Sequence, residues 1–203
     1  FNGSESFTAT VTDGEFSASQ SFTVTVNAVN DAPTLAAVDA VSFDEDGSTS
    51  IALSGSDIDS SGLTYSISTG ADITAAVNGF TVTFTASSNF NGSESFTATV
   101  TDGEFSASQT FTVTVNAVND APTLAAVDAV SFDEDGSGSA TLVGSDIDSN
   151  SLSYSVSTGT DITATVDGAT VSFTAPADFN GSESFTATVT DGEFSASQSF
   201  TVT

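Results

Sequence analysis

An 89-residue repeat constrains this chain more than any other feature. FNGSES begins at Phe1, Phe90 and Phe179, NDAP at Asn30 and Asn119, DEDGS at Asp44 and Asp133, and SDIDS at Ser56 and Ser145. Residues 1–25 are identical to 179–203, and 90–114 differ from them only at Thr110. Spacing this constant means one structural unit used again and again, so a single large core is not expected. VNAVNDAPT, at Val26–Thr34 and Val115–Thr123, marks the joint. An alternating Phe/Thr/Val strand runs into it, Asn-Asp favours a turn, and the proline pushes the preceding alanine out of helical backbone. The expected divisions are residues 1–30 (the last strands and linker of a preceding repeat), 31–119 (a complete repeat) and 120–203 (a second repeat without its following linker). A two-strand remnant is not stable alone, so the chain reads as part of a longer array.

Within a repeat, apolar residues alternate with Thr or Ser: Ile51 and Leu53, then Leu63, Tyr65 and Ile67, Ile73 to Val77, and Phe80, Val82 and Phe84. Phe96, Ala98 and Val100 follow, and then Phe111, Val113 and Val115. Val130 and Phe132 predict an early strand in the second repeat. Asn78-Gly79 (Asp167-Gly168 in the second copy) and Asp102-Gly103 are hairpin signals. About seven short strands, with no helical periodicity, predict an all-β fold of tandem immunoglobulin-like antiparallel sandwiches. The outward Thr and Ser rows read as solvated β-formers, and Tyr65 and Tyr154 as core rings with hydroxyls at the rim.

Charge excludes several functions. The chain has 27 Asp and Glu, no Lys, Arg or His, and a net charge of −27. Nothing here can neutralise phosphates, so nucleic acid and anionic membranes are excluded as partners. Without His, Cys, Lys or Arg no catalytic triad, Schiff base or arginine clamp can be built, and an enzyme is not expected. Lysine–asparagine isopeptide cross-links and disulfides are likewise ruled out. Disorder is rejected because 38% of residues are hydrophobic, 17 of them Phe, at regular spacing. No stretch approaches a membrane span of roughly 18 apolar residues.

Two carboxylates about 5 Å apart repel by roughly 3 kcal/mol at an effective dielectric near 20. The acids must therefore be dispersed over solvated surface or hold cations. Hard oxygen ligands without soft ones point to Ca2+. Asp57-Ile-Asp59-Ser-Ser-Gly62 opens like an EF-hand loop, but Ser68 stands where the closing Glu belongs and Ser151 replaces the loop glycine in the second copy. The EF-hand is rejected. N-G-S at Asn2, Asn91 and Asn180 is a glycosylation acceptor pattern, although a tight Asn-Gly turn is the preferred reading.

Read in order, ATVTDGEFSASQTFTVTVNAVNDAPTL resembles the end of a cadherin repeat and its linker. FDEDGS and GSDIDSNSLSYSV resemble the early acidic residue and the Asp-x-Asp segment of the next one. The VNDAP linker and DFNGSESFTATVTDG are closer still to bacterial cadherin-like and VCBS-type repeats of large surface adhesins. The resemblance implies Ca2+ at repeat junctions. At the second junction its ligands would be Glu45, Glu94, Asn119, Asp120, Asp146, Asp148 and Asp191. At the first they would be Glu5, Asn30, Asp31, Asp57, Asp59 and Asp102. Ala117 and Ala121 stand where fuller calcium linkers carry ligands, and Glu94 stands alone where cadherins have an acidic pair. This implies fewer ions per joint than in cadherins. Asp102, Asp191, Asn119 and Asp120 also suit ordinary turns.

The expected function is a non-enzymatic, extracellular or cell-surface stalk or filament shaft, with neighbouring repeats as partners and Ca2+ as the stiffening ion. The alternatives are a self-assembling fibre in which chains exchange strands and a glycan- or receptor-binding module. The last lacks Trp and Arg anchors.

Overall fold

A computed structural model describes residues 2–203. It divides into two compact units, Phe1–Asn116 and Ala117–Thr203. All regular structure among the described residues is β.

The first unit opens with a hairpin, β1 (Gly3–Thr12) and β2 (Ser17–Val26). After the linker, β3 (Thr34–Leu35) pairs with β6 (Gly55–Ser56). One sheet orders β4 (Val41–Asp44), β11 (Ser106–Asn116), β10 (Gly92–Thr101) and β7 (Thr64–Ile67). Its pairings are antiparallel except β4 with β11. The second sheet orders β5 (Ser48–Ala52), β9 (Thr81–Ala86) and β8 (Ile73–Asn78). The apolar residue at every second position is what faces these sheets together. Val82 and Phe84 from one sheet and Phe96, Ala98, Val100 and Val113 from the other are fully buried. Phe84 meets Phe96 edge-on at 5.3 Å between ring centres. Burying one such ring stabilises the fold by about 1.5–3 kcal/mol. The architecture is the expected immunoglobulin-like sandwich.

The second unit repeats the plan with β12 (Thr123–Leu124) and β14 (Gly144–Ser145), then β13 (Ser137–Thr141), β17 (Thr170–Thr174) and β16 (Thr163–Asp167). Opposite lie β15 (Ser153–Val156), β18 (Glu183–Thr190) and β19 (Ser195–Val202). Phe173 and Phe185 keep the edge-on geometry at 5.3 Å.

Three sequence expectations shift. The β8–β9 turn centres on Gly79-Phe80, not Asn78-Gly79, because Asn78 pairs with Thr81 in the ladder. Gly79 alone takes positive φ (62°), the sign pattern of a II′ turn, and Phe80 lies 58% exposed. The strand expected at Val130 and Phe132 is reduced to a single parallel bridge, Val130 to Val202. Its counterpart β4 runs alongside Val113–Asn116. Gly138 also replaces Thr49, and a Cβ there would strike the Phe132 ring at 2.8 Å. Leu53 lies outside β5 yet is buried, as expected of a core residue.

Candidate functional site: the linker end of each repeat

The NDAP linker enters its repeat beside the β10–β11 turn. Pro33 and Pro122 are buried. Three residues before them, Asn30 donates its Nδ2 to Asp102 Oδ2 at 2.9 Å, and Asn119 donates to Asp191 Oδ2 at 2.7 Å. Each asparagine is thereby oriented with its amide oxygen turned away from that carboxylate. The backbone N–H of Asp31 donates to Asp59 Oδ2 at 2.9 Å, and that of Asp120 to Asp148 Oδ2 at 2.7 Å. The linker is therefore bonded to both acidic segments of its own repeat.

Those segments have local reasons for their shape. Asp102 Oδ1 accepts the amides of Glu104 and Phe105, each at 2.7 Å, closing an Asx turn in which Gly103 takes φ +104°. Thr101 Oγ1 closes the turn from the other side by donating to the Phe105 carbonyl. Asp191 repeats this with Glu193 and Phe194. These donors hold both carboxyls below their ordinary range. For Asp102 the amides of Phe105 and Glu104 act first, while for Asp191 the Asn119 side chain is the largest cause. Both effects stabilise the charged form.

Asp57 Oδ1 accepts the amides of Asp59 (2.7 Å) and Ser60 (2.8 Å), and Asp146 Oδ1 those of Asp148 and Ser149, each at 2.8 Å. The second oxygens are different. Asp57 Oδ2 and Asp146 Oδ2 are shut off from solvent and meet no protein donor. A buried carboxylate oxygen without a donor is costly. Its presence at the same place in both repeats is the observation that fits a cation. Among the described residues no three carboxylates gather closely enough to hold a metal. One repeat therefore offers a partial set: Asp57, Asp59, Asp102, Asn30 and Asp31, or their counterparts Asp146, Asp148, Asp191, Asn119 and Asp120.

Glu94, expected at the second junction, and its counterpart Glu183 have hydrogen-bond partners within their own units. Glu94 sits eight residues before Asp102 along β10, about 26 Å away in a strand. Its two oxygens accept the amides of Ala71 (3.0 Å) and Asp72 (2.8 Å), and Glu183 does the same for Thr160 and Asp161. The amides hold the Glu183 carboxyl below its ordinary range, that of Asp161 foremost. These glutamates staple the turn into β8 or β16, a role that no sequence motif signalled. Glu45 is buried, and its backbone N–H donates to the Asn116 carbonyl at 3.0 Å. Glu5 lies exposed in the β1–β2 hairpin, and Asn2, Asn91 and Asn180 are exposed.

The bacterial Ig domain profile matches residues 30–116 and 119–203, well over half of the chain. The chain belongs to the bacterial Ig domain family. Both matched segments begin at the linker asparagine, Asn30 or Asn119. No curated protein is a significant sequence match. Among solved structures, mouse clustered PcdhgC3 EC1-3 is 16% identical, with 98% of this chain and 75% of that one covered and a TM-score of 0.47. The I-band fragment I67-I69 from titin is 12% identical, with 98% and 74% covered and a TM-score of 0.42. The endo-fucoidan hydrolase MfFcnA4 from glycoside hydrolase family 107 is 16% identical, with a TM-score of 0.39. All of this chain but 34% of that one is covered.

Proposed function

We propose that these bacterial Ig repeats form a non-enzymatic extracellular shaft of an adhesin-like surface protein, of the cadherin-like and VCBS-type kind, and that the linker end of each repeat takes Ca2+. Domains of this family are typically extracellular or surface-exposed, and no helix among the described residues is long and apolar enough to cross a membrane. The observation that carries the calcium reading is the donorless, buried Oδ2 of Asp57 and of Asp146.

Asp57, Asp59 and Asp102, with the Asn30 amide oxygen, would have to draw together around the ion in the first repeat, since these carboxylates do not gather closely enough without it. Asp146, Asp148 and Asp191, with Asn119, would do so in the second. Asp31 and Asp120 carry further carboxylates beside them. Bound Ca2+ would supply charge that cancels carboxylate repulsion, and water or further acids such as Glu5, Glu45 or Glu94 would complete the six to eight oxygens it prefers. Glu94, like Asp102 and Asp191, already holds amide donors on both oxygens and would have to share them with the ion. Cancelling repulsion on either side of a linker would stiffen the array.

Calcium titration by calorimetry tests this, together with melting in Ca2+ or chelator. The expected outcome is saturable heat and a calcium-dependent rise in Tm, with Asp57→Asn and Asp146→Asn each removing one class of site. Absence of heat and identical melting curves would refute it.

A further inference from the structure

Each repeat leaves one edge of its β5–β9–β8 or β13–β17–β16 sheet open, and the cause is the path of the strand before it. In the first unit β3 pairs with Gly55–Ser56, and the Ala36 amide donates to the Ser54 carbonyl at 2.9 Å. The chain then crosses to the other sheet and pairs with β11 from Val41 onward. β5 therefore keeps β9 on one side, and among the described residues no strand pairs with its other edge. The second unit does the same. Ala125 donates to the Val143 carbonyl at 2.9 Å, and the outer edge of β13 is open.

A recess runs along each open edge. In the first unit Ala36, Ala37, Val38 and Asp39 line it with Ile51 and Ala52, around about 370 Å³. In the second, Ala126, Val127 and Asp128 line it with Ala140 and Val143, around about 590 Å³. Both are built from residues inside the two matched family segments. Alanines on the crossing segment leave the room, while half-buried Val38 and Ile51 rest on the core and form an apolar floor. Edge strands are commonly guarded by Lys or Pro, yet β5 (STSIA) and β13 (SGSAT) carry neither charge nor Pro. Side chains alternate along β5: Thr49 and Ile51 are partly buried, and Ser48, Ser50 and Ala52 are exposed.

From these observations we infer that β5 and β13 each accept an extended, cationic strand of a partner protein by β-strand addition. The partner's backbone pairs with the open edge. Its alternate apolar side chains fill the recess over Val38 and Ile51, and the intervening Lys or Arg side chains lie at the surface near Asp39. Charge selects this occupant. The chain carries −27 and no cation at all, so its field attracts a basic segment and repels a second copy of itself. A copy would offer the same uncharged edge but nothing to neutralise Asp39 or Asp128, both exposed. Two such edges on one chain let a partner with two basic strands bind with raised avidity. The inference does not depend on the calcium reading, because the recess contains none of the linker-end acids.

The test is NMR titration of the isotope-labelled full chain with the peptide Lys-Val-Lys-Val-Lys-Val-Lys. Its controls are a scramble of the same composition, an acidic version with Glu for Lys, and the same peptide N-methylated at every residue. The expected result is saturable shifts centred on residues 48–52 and 137–141 with the alternating peptide alone. Ala37→Phe fills the first recess from an exposed position, so it should weaken binding at β5 about tenfold or more and leave β13 unchanged. Asp39→Asn should weaken binding at β5 about twofold to fivefold at low salt and less at high salt. Shifts that the scramble reproduces, or that spread over the acidic loops, would overturn the inference as plain charge attraction. Binding that survives N-methylation or Ala37→Phe would overturn it too. Oligomers of the chain alone that protect the amides of residues 48–52 would overturn it in favour of a second copy.

Discussion

Asn119 donates its side-chain amide to Asp191 across 72 residues of sequence, at 2.7 Å. Asn30 and Asp102 repeat the bond at the same separation. In a chain with no Lys, Arg or His, no carboxylate can be satisfied by a side-chain cation. Amides take that part. Asp102, Asp191, Asp57, Asp146, Glu94 and Glu183 each collect amides that lock a loop. The acidity that looks like a liability in the composition is, at these positions, the means by which the loops are shaped.

That arrangement fixes a pH dependence. The folded-state pKa values of Asp102, Asp191 and Glu183 are depressed. Their contribution to stability is complete above the ordinary unfolded values, near 4, and is lost as pH falls through the lower folded ones. Asn119→Ala should raise the Asp191 pKa toward its ordinary 3.8, because Asn119 is the largest cause of its depression. Asn30→Ala should move Asp102 less, because there the backbone amides dominate. Carboxyl titration by NMR in both variants checks the sign and the order.

The fold was legible because its signals are local and repeated. Alternation at Phe96–Val100 and Phe111–Val115 identifies the buried faces, and the fixed spacing identifies the unit. What escaped depends on distant closure. Nothing around Glu94 says that its carboxylate will meet the amides of Ala71 and Asp72. Nothing around Asp57 says that one oxygen will be walled off while the other holds its own loop. The turn at Gly79-Phe80 was misplaced by one residue because Asn-Gly suits a I′ turn, whereas the register puts Asn78 in the ladder. Val130 and Phe132 carry a strand pattern, and what forms there is one bridge to Val202 with hydrogen bonds to Thr201 and Thr203.

Gly70 and Gly159 should tolerate no side chain. A Cβ on Gly70 would collide with Glu94 Oε2 and the Ile73 carbonyl, and one on Gly159 with Glu183 Oε2 and the Ile162 carbonyl. Gly70→Ala or Gly159→Ala is expected to cost about 1–3 kcal/mol in the affected unit through overpacking. Gly103→Ala meets no atoms and should act only through its positive φ. Denaturant unfolding of the three variants separates the two causes.

Each tyrosine hydroxyl does more than reach the rim. Tyr65 accepts the Gly55 amide at 3.0 Å, and Tyr154 accepts that of Gly144 at 3.2 Å. Tyr65→Phe leaves the ring's packing and strands a partly buried amide, so a loss of about 1–2 kcal/mol is expected in the first unit. Amide exchange at Gly55 should accelerate more than at core positions such as Val100, and equal acceleration throughout would contradict the local assignment.

Identical sequence in different surroundings offers the sharpest comparison. Phe7, Phe96 and Phe185 occupy the same place in the same heptapeptide phrase, GSESFTA, yet Phe96 and Phe185 are fully buried and Phe7 is 46% exposed. Phe96 packs on Phe84 at 5.3 Å and on Phe111 at 6.4 Å, whereas Phe7 stacks only on Phe22 at 5.8 Å among the ring pairs of the described residues. Removing a buried ring costs the transfer energy plus the cavity it leaves, about 3–5 kcal/mol. For a small domain whose whole stability is on the order of 5–15 kcal/mol, that is a large share. Phe96→Ala should therefore lower the melting temperature of the first unit sharply and leave the second near its original value. Phe185→Ala should do the reverse in dilute solution. Phe7→Ala should shift neither by more than about 0.5 kcal/mol. Calorimetry resolving the two transitions reads all three, and a Phe7→Ala chain that melts like Phe96→Ala would show that the first hairpin is buried after all.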